Sequence, residues 1–405
     1  MRILVHDFAG HPFQVELSRE LALRGHTVRH QYLDDPQTPK GSMTRRPSDP
    51  RGLDFEGLRL VQPLDKKSYL KRFRQDLEYG RAAIAAAKQF APDVYISANM
   101  PLDPLRMLQR ELAKDDVHFV FWQQDFYSLA LSKILPKKLP LVGDAIAAYY
   151  RAMERQIARE ADSIVCISDD FLEQLAAWGV DGGKCTTIEN WSSLEEIRPT
   201  GARPTAWQRE QGLADRRIVL YSGTLGRKHN PEHLWALAEH VAAAPDAADV
   251  TVVVCSAGIG ADWLREQCQR RPTIPLTVLP FQPYERFGEV LGAATLVTAL
   301  LEPDAGVFSV PSKVLSYMAA GRPILMAAPE VNLAARTIRR ENGGTVVAPG
   351  DVDGFVATAM NMLRAPQRLA DMGARGRTYA ETAFDIERIG DRFEGLWSPA
   401  LRRAA

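Results

Sequence analysis

RILVHDFAGHPFQVELSRELALRGHTV, residues 2–28, decides the fold. Arg2 to His6 reads as a short buried strand and Asp7 to Pro12 as a loop. Phe13 to Arg24 is a helical pattern stopped by Gly25, and the next strand begins at Thr27. Strand, loop, helix, glycine stop and strand make a βαβ unit, which implies a parallel sheet with its functional loops at the carboxyl ends of the strands. A dinucleotide oxidoreductase would carry G-x-G-x-x-G at this first turn. Gly10 stands alone before His11 and Pro12, which argues against that class.

The same alternation continues outward. The helix Leu77 to Phe90 feeds the strand Val94 to Ser97, and Leu105 to Ala113 feeds Phe119 to Trp122. The strand Ser163 to Ile167 is followed by Ser168 as an N-cap for the helix Phe171 to Trp178, then by the strand Thr186 to Glu189. Residues Gln37 to Gly57, rich in Pro, Ser, Arg and Gly, read as a long loop. A second series of strands follows at Arg217 to Tyr221, Thr251 to Cys255, Leu276 to Leu279, Leu296 to Leu300, Pro323 to Met326 and Gly344 to Val347, separated by helical stretches. At 405 residues the chain exceeds one ordinary core. The expected organisation is an α/β chain of two Rossmann-like parallel-sheet domains facing a cleft, residues 1–195 and 214–384, joined by a polar, Pro-containing linker at 196–213. The terminal helix, Ile386 to Trp397, is long enough to cross back, so residues 385–405 are expected to rejoin the first domain.

Composition narrows the function classes. Fifty basic residues balance fifty acidic ones, so global charge offers no argument for nucleic acid. Cys166, Cys185, Cys255 and Cys268 are widely spaced with no metal-type pairing, which suits reduced thiols in the cytoplasm. The apolar start is broken by His6 and Asp7, and no window approaches a membrane span of about 18 uncharged apolar residues. A cytoplasmic protein without a standard signal is expected.

Two stretches of the second domain carry candidate chemistry. In 304–325, DAGVFSVPSKVLSYMAAGRPIL, a loop around Pro311 runs into a helix from Lys313 to Ala320, placing Ser312 and Lys313 where a phosphate wants a hydroxyl and a cation. In 222–228, SGTLGRK, Gly223 and Gly226 permit close backbone approach. Arg227 and Lys228 then supply a fork donor and a point charge for a diphosphate. A basic pair at a helix start is unfavourable unless an anion joins it. Phe281-Gln282-Pro283 is positioned to frame a base by stacking and main-chain contacts. No D-x-D or His/Asp/Glu grouping accompanies these loops, so no metal and no cofactor beyond a nucleotide substrate is expected.

The first domain offers subtler signals. Gln123-Gln124-Asp125-Phe126 stands at a strand exit, where Asp125 is either a site residue or the cap of the next helix. KKSYLKRFR, 66–74, reads as a solvated helix entrance or as a contact for anionic lipid headgroups. LALSKILPKKLPLVGDAIAAYY, 129–150, surrounds Lys133, Lys137 and Lys138 with leucines and prolines. It fits the cytoplasmic face of a membrane or an inter-domain lid with snorkelling lysines.

Taken together, GHPFQVELSRELALRGHTV, SGTLGRK, VLPFQPYERFGEVLGAA, SVPSKVLSYMAAGRPIL, NGGTVVAPGD and RLADMGARGRTYAETAF resemble the retaining glycosyltransferase family 4 with the two-domain GT-B fold. The branch is similar to bacterial exopolysaccharide and O-antigen enzymes related to colanic-acid and N-acetylfucosamine transferases. The resemblance implies a nucleotide-diphospho-sugar donor in the second domain and a saccharide acceptor, often lipid-linked, in the first. It also implies retention of configuration and no metal. It places the basic pair on Arg227 and Lys228, the phosphate loop on Ser309, Val310 and Pro311, and the glycine loop of the first domain on Gly10. The family's paired glutamates fall on Phe308 and Ser316, so neither carboxylate is here, with Asp304 preferred over Glu302 as a substitute for the first. The family's strand-exit histidine is missing too, Gln124 or Asp125 standing in that neighbourhood. Two rivals follow from these departures: a non-catalytic nucleotide-sugar- or lipid-binding partner of another transferase, and a GT-B nucleotide-sugar epimerase.

Overall fold

The computed structural model describes residues 1–35, 41–65, 68–200, 203–226, 229–303 and 311–397. The chain divides into two units, Met1–Asn190 with Ile386 onward, and Trp191–Asp385. The first holds strands β1 (Arg2–Asp7), β2 (Thr27–Leu33), β3 (Leu53–Leu58), β4 (Val94–Ala98), β5 (His118–Gln123), β6 (Ser163–Cys166) and β7 (Cys185–Thr187). They form one parallel sheet in the order β3-β2-β1-β4-β5-β6-β7. The second unit holds β8 (Arg217–Ser222), β9 (Val250–Cys255), β10 (Leu276–Leu279), β11 (Ala294–Leu300), β12 (Ile324–Ala327) and β13 (Gly344–Val347). Its parallel order is β10-β9-β8-β11-β12-β13.

Helices cover both faces of a parallel sheet, so its strands bury side chains on both sides and read as continuous apolar runs. Ile3, Leu4 and Val5 of β1, and all six residues of β9, are buried accordingly. In each sheet the chain starts centrally, winds to one edge, then returns and winds to the other. The order therefore reverses between β1 and β4, and again between β8 and β11. The crevice outside the carboxyl ends at such a reversal is where open α/β sheets take ligands.

Ile386–Glu394, the last described helix, belongs to the first unit. Phe393 packs edge-on against Trp122 of β5 with centroids 4.9 Å apart. Arg24 ties the helix down through Asp391 at 2.6 Å and Glu394 at 2.8 Å.

Three expectations need correction. The loop expected over 37–57 is irregular over the described residues 41–52 but ends in β3, an edge strand whose polar pattern, with Asp54 and Glu56 half-open or exposed, hid it. The segment expected as a linker folds into the second unit: Ala206–Glu210 is helical and Trp207 is fully buried. A helix also stands unanticipated at Leu333–Arg340, capped by Asn332 accepting from Ala334 N at 3.0 Å.

Candidate functional site

At the reversal point of the second sheet, the loop after β8 is knitted to the loop after β9. Gly223 N donates to Cys255 O at 3.1 Å, Leu225 N to Ala257 O at 3.1 Å, and Gly260 N to Leu225 O at 2.9 Å. Gly223 adopts φ +127°, which a side chain disfavours, and a Cβ there would sit 3.1 Å from both Cε and Nζ of Lys313. The loop that follows β8 therefore meets the first residue of the helix Lys313–Ala319. Tyr317, fully buried, fixes the intervening helix Lys313–Ala319: its hydroxyl accepts from Ser222 N at 3.2 Å and lies 3.3 Å from Thr298 O.

Lys313 is the outstanding group. Its Nζ lies 3.8 Å from the centre of the Tyr221 ring, is shielded from water, and has no hydrogen-bond partner among the described residues. Burial pushes its pKa down to about 7. The ring face offsets part of that cost by cation–π attraction. Among the described residues no anion pairs with this amine. Gly226, whose N–H donates to His229 Nδ1 at 3.1 Å, ends the described part of the loop after β8, and Pro311 and Ser312 lead directly into Lys313. Ser316 Oγ is 3.2 Å from Ser192 Oγ. Arg227, Lys228, Asp304, Ser309 and Val310 lie outside the described residues. Gln282 is committed elsewhere: its Oε1 accepts from Trp207 Nε1 at 2.9 Å and its Nε2 donates to Pro280 O at 2.9 Å. Its neighbour Phe281 is half-buried beyond β10.

The reversal point of the first sheet holds a polar cluster that sequence reasoning missed. Asp7, the last residue of β1, is fully buried. Its Oδ1 accepts from Ala9 N at 3.0 Å and Asn99 Nδ2 at 3.2 Å, and Oδ2 accepts from His11 N. His11 Nδ1 lies 3.4 Å from Asp7 Oδ1. Gly10 makes this turn possible with φ +77°, and its carbonyl accepts from Gly41 N at 3.0 Å. Asn99, just past β4, sits in the left-handed region at φ +59°, where asparagine is among the few tolerated side chains. Burial disfavours charge on both Asp7 and His11, yet each stabilises the other's ion. The carboxyl is held below its usual pKa, and the imidazole is raised by Asp7 first and by Asp125 second. The visible signal was His11 ahead of Pro12 at a βα turn; Asp7 and Asn99 converge on it through strand order alone.

The start of the following helix, Tyr127–Lys138, is capped by Glu154, which accepts from Tyr127 N at 3.0 Å, Ser128 N at 3.0 Å and Ser128 Oγ at 2.5 Å. Gln124 pairs reciprocally with Asn190, at 2.6 and 3.2 Å. Lys133, Lys137 and Lys138 are exposed on that helix. Lys138 Nζ donates to Tyr69 OH at 3.1 Å, bringing the two basic-apolar segments together. Around them Leu141 is 98% exposed, Leu70 61% and Ile134 46%. Among the described residues no helix is long and apolar enough to cross a membrane, and no group of three His, Cys, Asp or Glu could hold a metal ion.

Comparison with known proteins matches both units. Residues 11–191 match the family described as "Glycosyl transferase 4-like domain", and residues 216–365 match "Glycosyl transferases group 1". Escherichia coli (strain K12) WcaI, named for colanic acid biosynthesis, is 23% identical over 254 residues, 62% of this chain and 60% of that protein. The matches to curated relatives thus span about 60% of their length. Sucrose-phosphate synthase of Thermosynechococcus elongatus superposes with a TM-score of 0.76 at 17% identity, covering 100% of each chain. Anabaena HepE, solved with UDP and glucose, gives 0.69 at 15% identity, over 98% of this chain and 100% of its own. With its two parallel sheets shared with these structures and each unit matched by its own family, the chain belongs to the glycosyltransferases of family 4 type with the GT-B fold.

Proposed function

We propose that this glycosyltransferase moves a hexosyl or N-acetylhexosaminyl group from a nucleotide-diphospho-sugar to a lipid-linked saccharide, with retention of configuration and without a metal, in bacterial surface polysaccharide synthesis. The second unit takes the donor and the first unit the acceptor. The acceptor oxygen bonds to the anomeric carbon on the face that the diphosphate leaves, and the departing phosphate oxygen receives the acceptor's proton. Lys313, Arg227 and Lys228 neutralise the charge that develops on the diphosphate; Ser309, Val310, Pro311, Ser312 and Asp304 complete the donor loop. The observation that carries this reading is the buried Nζ of Lys313 at the reversal point of the second sheet, over the Tyr221 ring and without a hydrogen-bond partner among the described residues. The test is a thermal-shift screen against UDP-, GDP- and dTDP-sugars. One nucleotide class should raise the apparent stability by mass action, and Lys313→Ala should abolish that rise. A screen in which none stabilises the protein removes the donor reading. Ser316, bonded to Ser192 where the family resemblance places a glutamate, favours a second reading as a non-catalytic binding partner. Release of nucleoside diphosphate by the purified chain alone excludes it.

The first unit is proposed to dock on the cytoplasmic face of an anionic membrane through Lys133, Lys137 and Lys138 and the exposed Leu70, Ile134 and Leu141 beside them. Co-sedimentation with phosphatidylglycerol vesicles should exceed that with phosphatidylcholine, and Glu at the three lysines should remove the difference. Equal retention of the variant would discard the patch.

A further inference from the structure

Two arginines of the second unit stand together without an acid. Arg203 lies just ahead of the helix Ala206–Glu210, and Arg322 just ahead of β12. Both donate to Ala294 O, the carbonyl that opens β11, Arg203 through Nη2 and Arg322 through Nη1 at 3.4 Å. Arg203 also donates from Nε to Gly292 O at 3.2 Å and from Nη1 to Thr295 Oγ1 at 3.1 Å, while Arg322 Nη2 donates to Thr200 Oγ1 at 3.1 Å. These acceptors are all neutral, and among the described residues no carboxylate pairs with either guanidinium. Other arginines of this unit do have one: Arg286 holds Glu289 at 2.9 Å and Arg377 holds Glu381 at 2.8 Å. Two cations converging on one carbonyl repel each other, and burial first and Arg203 second bring the Arg322 pKa down to about 10. Donors are left over as well. Three bonds leave two of the five N–H groups of Arg203 unspent, and Arg322 Nε has no partner among the described residues. Arg203 is exposed, and Arg322, Thr200 and Thr295 are half-buried, so the place is open to solvent.

We propose that Arg203, Arg322, Thr200 and Thr295 bind a phosphate dianion, free or as a phosphomonoester, at the amino edge of the second sheet. Guanidinium forks suit pairs of phosphate oxygens. The two charges of a phosphate match two cations that lack an acid, where a carboxylate supplies one. Each threonine hydroxyl that accepts from an arginine keeps its own proton to donate to the anion. The proposed donor loop lies beyond the opposite, carboxyl ends of the strands, about 20 Å away along the seven residues of β11, so this site stands or falls separately from it. The test is calorimetric titration at about pH 8 of the full chain carrying Lys313→Met, which disables the proposed donor site. The probes are inorganic phosphate and a hexose 6-phosphate, each against matched chloride. At least one should bind, and the tighter of the two identifies the source. Adding Arg203→Gln should weaken binding roughly 10- to 100-fold, the worth of charge-assisted hydrogen bonds. Arg322→Lys, which keeps the charge and loses the fork, should weaken it as well. Where an arginine variant does not fold, Thr295→Val serves: it keeps both cations, removes one hydroxyl and should bind the anion several-fold less tightly. No binding by the Lys313→Met chain, or binding by the folded variants equal to its own, overturns the proposal. A nucleoside diphosphate that fails to stabilise the parent chain sinks the donor reading alone.

Discussion

Lys313 is costly to the fold, and under the proposed function a bound diphosphate would offset that cost. Its pKa of about 7 lies below that of an ordinary lysine, because burial penalises the ammonium. The unfolded chain therefore binds more protons than the folded one between about pH 7 and the ordinary lysine value, and stability rises with pH across that window. Below it the full penalty applies. Lys313→Met should therefore raise the melting temperature at pH 6 and gain less at pH 9. Equal gains at both values would show that the amine is not strained. Binding runs the other way. A diphosphate favours the charged amine, so at pH 8 its binding should take up a proton, seen as a buffer-dependent enthalpy in calorimetry, and Lys313→Met should lose that dependence. Gly223→Ala tests the same contact sterically. Its φ of +127° and the 3.1 Å approach to Lys313 predict weaker nucleotide binding together with lower stability.

At the scale of elements, the helix Tyr127–Lys138 begins on a carboxylate from another helix, Gly143–Glu160. Glu154 is fully buried, and burial lifts its pKa to about 7 despite the Ser128 and Tyr127 donors. An acid whose folded pKa exceeds its unfolded value contributes stability that is complete below about pH 4.5 and lost as pH rises through about 7. Glu154→Gln should flatten that loss, so the melting temperatures of variant and parent should converge or cross between pH 5 and 8. Parallel curves would mean that Glu154 keeps one protonation state throughout. Elements of both units also show what a sequence conceals. The strands buried on both faces were legible as apolar runs, and β10 and β13 stand at the residues read for them. The edge strand β3 and the short helix Leu333–Arg340 were not, because half their residues face water and their periodicity is too brief to register. The proposed phosphate loop could be named from sequence because its residues are contiguous. The Asp7–His11–Asn99 cluster could not, since Asn99 is far from Asp7 in sequence and reaches it only because β4 pairs with β1.

For the whole molecule, the chain leaves its first unit at Asn190 and returns at Ile386, so that unit is completed by residues that follow the whole of the second. The returning helix is more than a strap. Phe393 is fully buried against Trp122, which in turn meets Phe13 at 5.7 Å, while Arg24 and His26 hold Glu394 at 2.8 and 2.6 Å. Removing a buried phenyl ring costs about 3–5 kcal/mol where the site cannot collapse, and Trp122 is a large neighbour to leave facing a void. Phe393→Ala should therefore loosen the first unit and leave the second intact. The measurement is hydrogen exchange resolved by segment: protection should fall in β1, β4 and β5 while β8, β9 and β11 keep theirs, and the stabilisation conferred by a bound nucleotide should survive in the second unit. Equal loss of protection in both sheets would mean that the two units unfold as one, and that the terminal helix serves the chain as a whole rather than the sheet it packs on.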